Sequence, residues 1–150
     1  MGRRIDEEVL GITMNTMKKA LCALMLVIAV AGCAFAKDFK AQDADVNGPR
    51  TKLKEAAPEM MGAFGNLGAV VLKDGAISLK TKELIAVSLS VQNRCETCIM
   101  SHVKNAIKAG VTREELVDAL GVCVLMGGGP NSAYAATALE VYDQFSGEKK

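Results

Sequence analysis

The sequence predicts an all-α domain, and three observations predict it. Apolar residues recur at helical spacing in segment after segment, as at Leu53, Ala56, Met60, Phe64, Leu67 and Val71. Capping signals bracket those segments. No stretch alternates apolar and polar residues as a half-buried strand would. The chain is 50% hydrophobic but only 4% aromatic and has no Trp, so its core is built from Ala, Val, Leu, Ile and Met, which suit helices.

The polar stretch "KDFKAQDADVNGPR" contains Asn47-Gly48-Pro49, a breaker, and is expected to be a flexible lead-in over 37–50. The helical domain is expected over 51–150. Its first helical pattern runs from Thr51 to about Leu72, where Pro58 either kinks one helix or opens a second. Ser78 is placed to cap a helix from Leu79 to about Gln92, with Leu84, Val87 and Val91 on one face. Asn93-Arg94 breaks that pattern, and the next helix spans about Cys95 to Ala109, ended by Gly110. Thr112-Arg113-Glu114-Glu115 reads as a capping box. The helix it opens should stop at "GGGPN", with Pro130 in the first turn of a last helix reaching about Phe145. The result is five or so helices with short connections.

The first 36 residues differ in kind. Lys18 and Lys19 precede an uncharged stretch from Ala20 to Ala36, and charge returns at Lys37. The strongly apolar part, Leu21 to Val30, is shorter than the roughly 20 residues needed to span a bilayer. A basic start, a short apolar run and the small-x-small end Ala34-Phe35-Ala36 read as a secretory signal peptide, so residues 1–36 are expected to be an N-terminal extension and signal. Val30-Ala31-Gly32-Cys33 also resembles a lipobox, which would make Cys33 a lipidated mature N-terminus. The expected location is therefore periplasmic or extracellular, with or without a lipid anchor. Cleavage after Ala36 leaves 114 residues with 14 basic and 14 acidic side chains. With no net charge and no basic stripe, nucleic acid is not expected as a partner.

Chemistry concentrates in "NRCETCIMSHV". Cys95, Cys98 and His102 stand at i, i+3 and i+7, one face of a helix. A helix N-terminus or a neighbouring imidazolium lowers a thiol pKa, so the first effect favours Cys95 and the second Cys98. Glu83 lies twelve residues before Cys95 and is followed by apolar residues. It is either a buried carboxylate beside a histidine, able to relay protons, or a solvent-facing group paired with Lys80 or with water. Structural zinc would want a second close Cys/His pair, and covalent haem would want His directly after the second cysteine, where Ile99 stands. Neither metal nor other cofactor is expected. A purely structural disulfide remains open, although so short a loop constrains little of the unfolded chain. Cys123 sits among Leu116, Leu120 and Val124 and reads as a buried core thiol.

Glu83, an eleven-residue gap, Cys95-x2-Cys98, then three residues and His102 resemble the motif of the alkylhydroperoxidase D-like proteins of the carboxymuconolactone decarboxylase superfamily. "HVKNAIKAGVTREELVDALGVCVLMGGGPNSAYA" is similar to the segment after the motif in the small single-domain members. The resemblance covers roughly residues 55 to 145 and departs at Thr97, where the peroxidase prototype has a histidine. It implies an all-α fold in trimers or hexamers and a thiol peroxidase or disulfide oxidoreductase. Cys98 would attack a hydroperoxide or disulfide substrate, Cys95 would resolve it, and Glu83 and His102 would relay protons. An unidentified thiol electron donor would then reduce the enzyme. Two alternatives are a non-enzymatic oligomeric domain with a structural disulfide and a lactone decarboxylase-like enzyme on the same scaffold. Independently, so small a domain has little area to cover its own apolar faces. Met60 to Leu72 and the last helix, with Tyr134 and Tyr142, are the expected intersubunit surfaces.

Overall fold

The computed structural model describes residues 17–19, 21 and 37–147. The chain divides into two units, 1–37 and 38–150. In the first, 17–19 and 21 are helical, and the expected cleavage site and lipobox lie outside the described residues. Among the described residues no helix is long and apolar enough to cross a membrane.

The second unit is all-α. Helix α1 spans Phe39–Ala56, α2 Pro58–Val71, α3 Leu79–Gln92, α4 Glu96–Lys108 and α5 Arg113–Ser146. The segment 39–50, expected as a flexible lead-in, is thus the start of a helix that runs through Pro49. Its start is fixed by Asp38, whose carboxylate accepts from the N–H groups of Lys40 and Ala41 at 3.0 and 3.1 Å. It is held to the domain by Phe39, whose side chain is buried and whose N–H donates to Gln144 Oε1 at 2.9 Å. Around the proline, side chains add backbone bonds: Asn47 Nδ2 donates to the Asp43 carbonyl and Thr51 Oγ1 to that of Asn47. Pro58 opens α2 from its first turn, so the helix is a new one and not a kink.

The core is the mutual packing of α3, α4 and α5, with Phe39 of α1 added. From α3 come Val87 and Val91, from α4 Ile99, Met100, Val103 and Ala106, and from α5 Leu116, Leu120, Ala135, Ala138 and Val141. On α4 these positions repeat at i, i+1, i+4 and i+7, the apolar stripe of a helix covered on one side.

Two turns of the same kind shape this core. After α3 the Cys95 N–H donates to the Ser90 carbonyl and the Arg94 N–H to that of Val91, with Arg94 left-handed at φ 54. After α4 the Val111 N–H reaches Ala106 and the Gly110 N–H reaches Ile107, with Gly110 at φ 80. Both are Schellman endings, which place a left-handed residue just past the helix. Glycine makes the second at no steric cost, whereas an L side chain in that conformation costs roughly 1–2 kcal/mol. The first therefore carries strain at Arg94, one residue before Cys95.

Helix α5 opens on the expected capping box. The Glu115 N–H donates to Thr112 Oγ1, and the Thr112 N–H donates to Glu115 Oε2. The Lys80 ammonium, 2.6 Å away, and that Thr112 N–H hold the Glu115 carboxyl below its usual range. The expected stop and restart appears as a kink at Gly128, φ 63 and ψ −147, within one long element. Tyr142, expected on an intersubunit surface, is instead buried in its own core, with its hydroxyl donating to the Val111 carbonyl at 2.9 Å. A phenol whose ring packs inside and whose O–H finds a backbone acceptor has no reason to face a partner.

Candidate active site

The site is assembled where α3 hands over to α4. The Schellman turn makes Cys95 both the residue just past α3 and the N-cap of α4, and its Sγ accepts the Cys98 N–H at 3.3 Å. Cys98 lies in the first turn of α4, and the two sulfurs are joined as a disulfide with Cα atoms 5.2 Å apart. A chain reversal pinned at Ser90 and Val91 thus presents both sulfurs at a helix N-terminus, partly buried. The local field there favours a thiolate. Thr97 Oγ1 is 3.5 Å from Cys95 Sγ.

His102 and Glu83 are brought together from two helices. His102 Nδ1 lies 2.8 Å from Glu83 Oε2. Glu83 is only 2% exposed, so it is not the solvent-facing carboxylate of the alternative sequence reading. Its other expected neighbour is engaged elsewhere, since Lys80 pairs with Glu115. A carboxylate taken out of water needs partners for its lone pairs, and the imidazole supplies one. The four expected residues therefore sit on α3, the α3–α4 turn and α4. Glu83 faces His102, and Cys98 stands one turn before His102 on α4.

Glu83 also lines a cavity of about 370 Å³ with Gly68, Leu72, Asn105 and Lys108 among its other walls. Glu83 thus stands between the imidazole and a space that solvent or a small molecule can enter.

Two participants escaped the sequence reading. Gln42 of α1 donates through Nε2 to Glu96 Oε2 at 3.3 Å, so α1 reaches the residue between the two cysteines. Asp43, one residue on, pairs with Lys104 of α4. Nothing in the local pattern of 37–50 signals this, because both contacts come from the docking of α1. The second is Asn131. It is 1% exposed, and its amide donates to Gln92 Oε1 at 2.6 Å, to the Cys123 carbonyl at 2.9 Å and towards Cys123 Sγ at 3.3 Å. Cys123 is buried as expected, and among the described residues it is the free cysteine.

Comparison with known proteins agrees with the all-α fold. The model of the carboxymuconolactone decarboxylase family matches residues 58–141. A crystal structure of a carboxymuconolactone decarboxylase family protein from Legionella pneumophila is 44% identical, covering 72% of this chain and 96% of that one with a TM-score of 0.70. A second such protein, from Thermotoga maritima, is 27% identical with a TM-score of 0.57, covering 65% of this chain and 86% of that one, and its name carries a suggested role in antioxidative response. An uncharacterized protein of Cupriavidus necator is 37% identical over 106 residues, 71% of this chain and 94% of its own length.

Proposed function

The chain belongs to the carboxymuconolactone decarboxylase family, and within it we propose a thiol-dependent oxidoreductase that reduces hydroperoxides or exchanges disulfides through Cys98 and Cys95. The observation that carries this reading is the pair of buried Glu83 and half-buried His102, 2.8 Å apart, on the two helices that flank the turn carrying Cys95, with Cys98 one turn before His102 on α4. A staple needs no proton carrier beside it, and a thiol peroxidase does.

In the reduced enzyme the Cys98 thiol transfers its proton and attacks the terminal oxygen of ROOH. A Cys98 S–O bond forms, the O–O bond breaks, and the alkoxide leaves as ROH after protonation. The Cys95 thiol then attacks the sulfenic sulfur, forming the disulfide and releasing water. An external dithiol returns both electrons and two protons. His102 is the proton carrier: with Glu83 ionised, Nδ1–H donates to the carboxylate and Nε2 is left with a lone pair for the thiol proton. Glu83 fixes that tautomer and stabilises the imidazolium that forms.

A redox titration separates this reading from a structural disulfide. The Cys95–Cys98 couple is expected well above about −300 mV, the level below which structural disulfides typically lie. A potential below that level would leave the pair a staple. The family's name favours a second reading, decarboxylation of a lactone acid, which makes no use of the cysteines. Release of carbon dioxide from such a substrate by the double variant Cys95→Ser/Cys98→Ser would establish it.

The enzyme is further proposed to be exported and to act as a homo-oligomer. Mass spectrometry of native protein should show a chain beginning at Lys37 or at a lipid-modified Cys33. An intact start at Met1 in a soluble cytoplasmic fraction would rule export out. An exported site lies away from the cytosolic thiol pools, so its electron donor would be a dedicated one.

A further inference from the structure

The cavity beside Glu83 has walls of two kinds. Leu72, Leu79 and Ala109 are apolar, whereas Glu83, Asn105 and Lys108 are polar or charged. Oε2 of Glu83 is engaged with His102, and Oε1 has no hydrogen-bond partner among the described residues. A carboxylate only 2% exposed needs a donor there, from water or from a ligand in the cavity. The side chains of Asn105 and Lys108 likewise have no hydrogen bond or ion pair among the described residues. Their chemistry is the reverse of Glu83's, because an amide N–H and an ammonium donate and the ammonium is positive. The cavity also lies on the face of α4 that carries the sulfur. Cys98, His102, Asn105 and Ala109 follow i, i+4, i+7 and i+11. Its volume, about 370 Å³, falls in the ~300–1,000 Å³ range of small-molecule sites.

We propose that this cavity holds the anionic end of the substrate, and that the substrate is the hydroperoxide of a long unbranched carboxylic acid. The inference rests on the oxidoreductase reading above and names its substrate class. The carboxylate meets Asn105 and Lys108, the hydrocarbon lies against the apolar walls, and the hydroperoxyl group reaches Cys98. Ionised Glu83 repels a carboxylate, so the charged end settles at the lysine and the neutral hydroperoxyl end goes towards the sulfur. The spacing of the two ends acts as a ruler. Lys108 is ten residues after Cys98, about 15 Å along the axis at 1.5 Å per residue. The lysine side chain leans back towards the helix N-terminus and shortens this to roughly 9–15 Å. Extended chains span about 1.2 Å per bond, so roughly eight to twelve bonds separate the two groups. The reaction is the one already given, with the carboxylate on R. Cys98 Sγ takes the terminal oxygen, the O–O bond breaks, and the protonated alkoxide leaves as a hydroxy acid. Lys108 also suits the last turn of α4 by its charge alone, so stability does not test this role.

The test mixes the reduced enzyme with ω-hydroperoxydecanoic acid, its methyl ester or tert-butyl hydroperoxide and follows thiol loss by stopped flow. One charge-assisted hydrogen bond corresponds to about tenfold or more, so the acid should react at least about tenfold faster than its ester at low concentration. Lys108→Gln should bring the two rates together, and Lys108→Arg should keep them apart. Lys108 is exposed, so neither variant disturbs the core. Calorimetry of the oxidised enzyme with ω-hydroxydecanoic acid, a redox-inert stand-in, should show binding that Lys108→Gln weakens by about tenfold. If acid and ester react equally and the hydroxy acid does not bind, while tert-butyl hydroperoxide reacts far faster than with a free thiol, this substrate class is overturned and the oxidoreductase stands. A preference for the acid that survives Lys108→Gln overturns the assignment of the cavity. If none of the three hydroperoxides reacts faster than with a free thiol, the oxidoreductase reading falls and the substrate class with it, whatever the calorimetry shows.

Discussion

His102→Ala should slow the reaction of the reduced enzyme with hydroperoxide by about 10²- to 10⁴-fold, the usual contribution of a positioned acid–base group. The single histidine stands one helical turn from Cys98 with its Nδ1 tied to Glu83, so no other imidazole can take the proton. Glu83→Gln should cost less. The amide keeps the size of the carboxylate and can still meet Nδ1, but it no longer stabilises the charged ring. A hydrogen bond to a charged group is worth roughly 1.5–3 kcal/mol, so a loss of about 10- to 150-fold is expected. Stopped-flow decay of the thiols, with two reactive thiols per chain confirmed beforehand, measures both. Rates within about threefold of the wild type for both variants would mean that no relay operates.

Gly127→Ala should destabilise the fold by about 2–4 kcal/mol. A Cβ at Gly127 would stand 1.9 Å from Asn131 Nδ2 and 2.1 Å from its Cγ. Asn131 cannot yield cheaply. It is buried, and its amide ties Gln92 on α3 to the Cys123 carbonyl on α5 across the kink at Gly128. Overpacking costs roughly 1–3 kcal/mol, and each buried polar group left unsatisfied costs a further 1–3 kcal/mol. Gly129→Ala is the control, because a Cβ there meets nothing within 4 Å. Urea unfolding followed by circular dichroism should show a marked loss for the first variant and a change below about 1 kcal/mol for the second. Equal behaviour would mean that Asn131 is not the bridge described.

The parts of the fold that were readable in sequence are those with local signals. Ser78, Gly110 and the Thr112/Glu115 box mark the bounds of α3, α4 and α5, because caps act within a few residues. Helix α1 was hidden because Asn47-Gly48-Pro49 is a breaker by local chemistry, and what overrides it is tertiary: Phe39 enters a core made by residues far along the chain. Tyr142 was misplaced for a similar reason. Its burial and the bond from its hydroxyl to the Val111 carbonyl come from packing against residues far back along the chain, which no local signal shows. At the site, the spacing of Cys95, Cys98 and His102 was enough to place them on and before one helix. Glu83 stood open between two readings, since only the packing of α3 on α4 decides whether it meets His102 or water. The reversal that makes Cys95 an N-cap was visible only as a break, because Arg94 occupies a position where glycine would have announced the turn.

The two sulfurs compete for the role of nucleophile. Cys95, at the N-cap with its Sγ accepting the Cys98 N–H, has the helix terminus in its favour. That effect is typically worth about 0.3–1 kcal/mol at an exposed site and reaches about 2 kcal/mol only in favourable partly buried geometries. Cys98 has His102 one turn away, and a hydrogen bond to a charged group is worth more, roughly 1.5–3 kcal/mol. The decisive measurement is to treat Cys95→Ser and Cys98→Ser separately with one equivalent of hydroperoxide and trap sulfenic acid for mass spectrometry. The account predicts rapid, stoichiometric trapping on Cys98 in Cys95→Ser and almost none in Cys98→Ser. Trapping on Cys95 instead would reverse the roles, and two variants no faster than a free thiol would leave the pair a staple and the enzyme reading wrong.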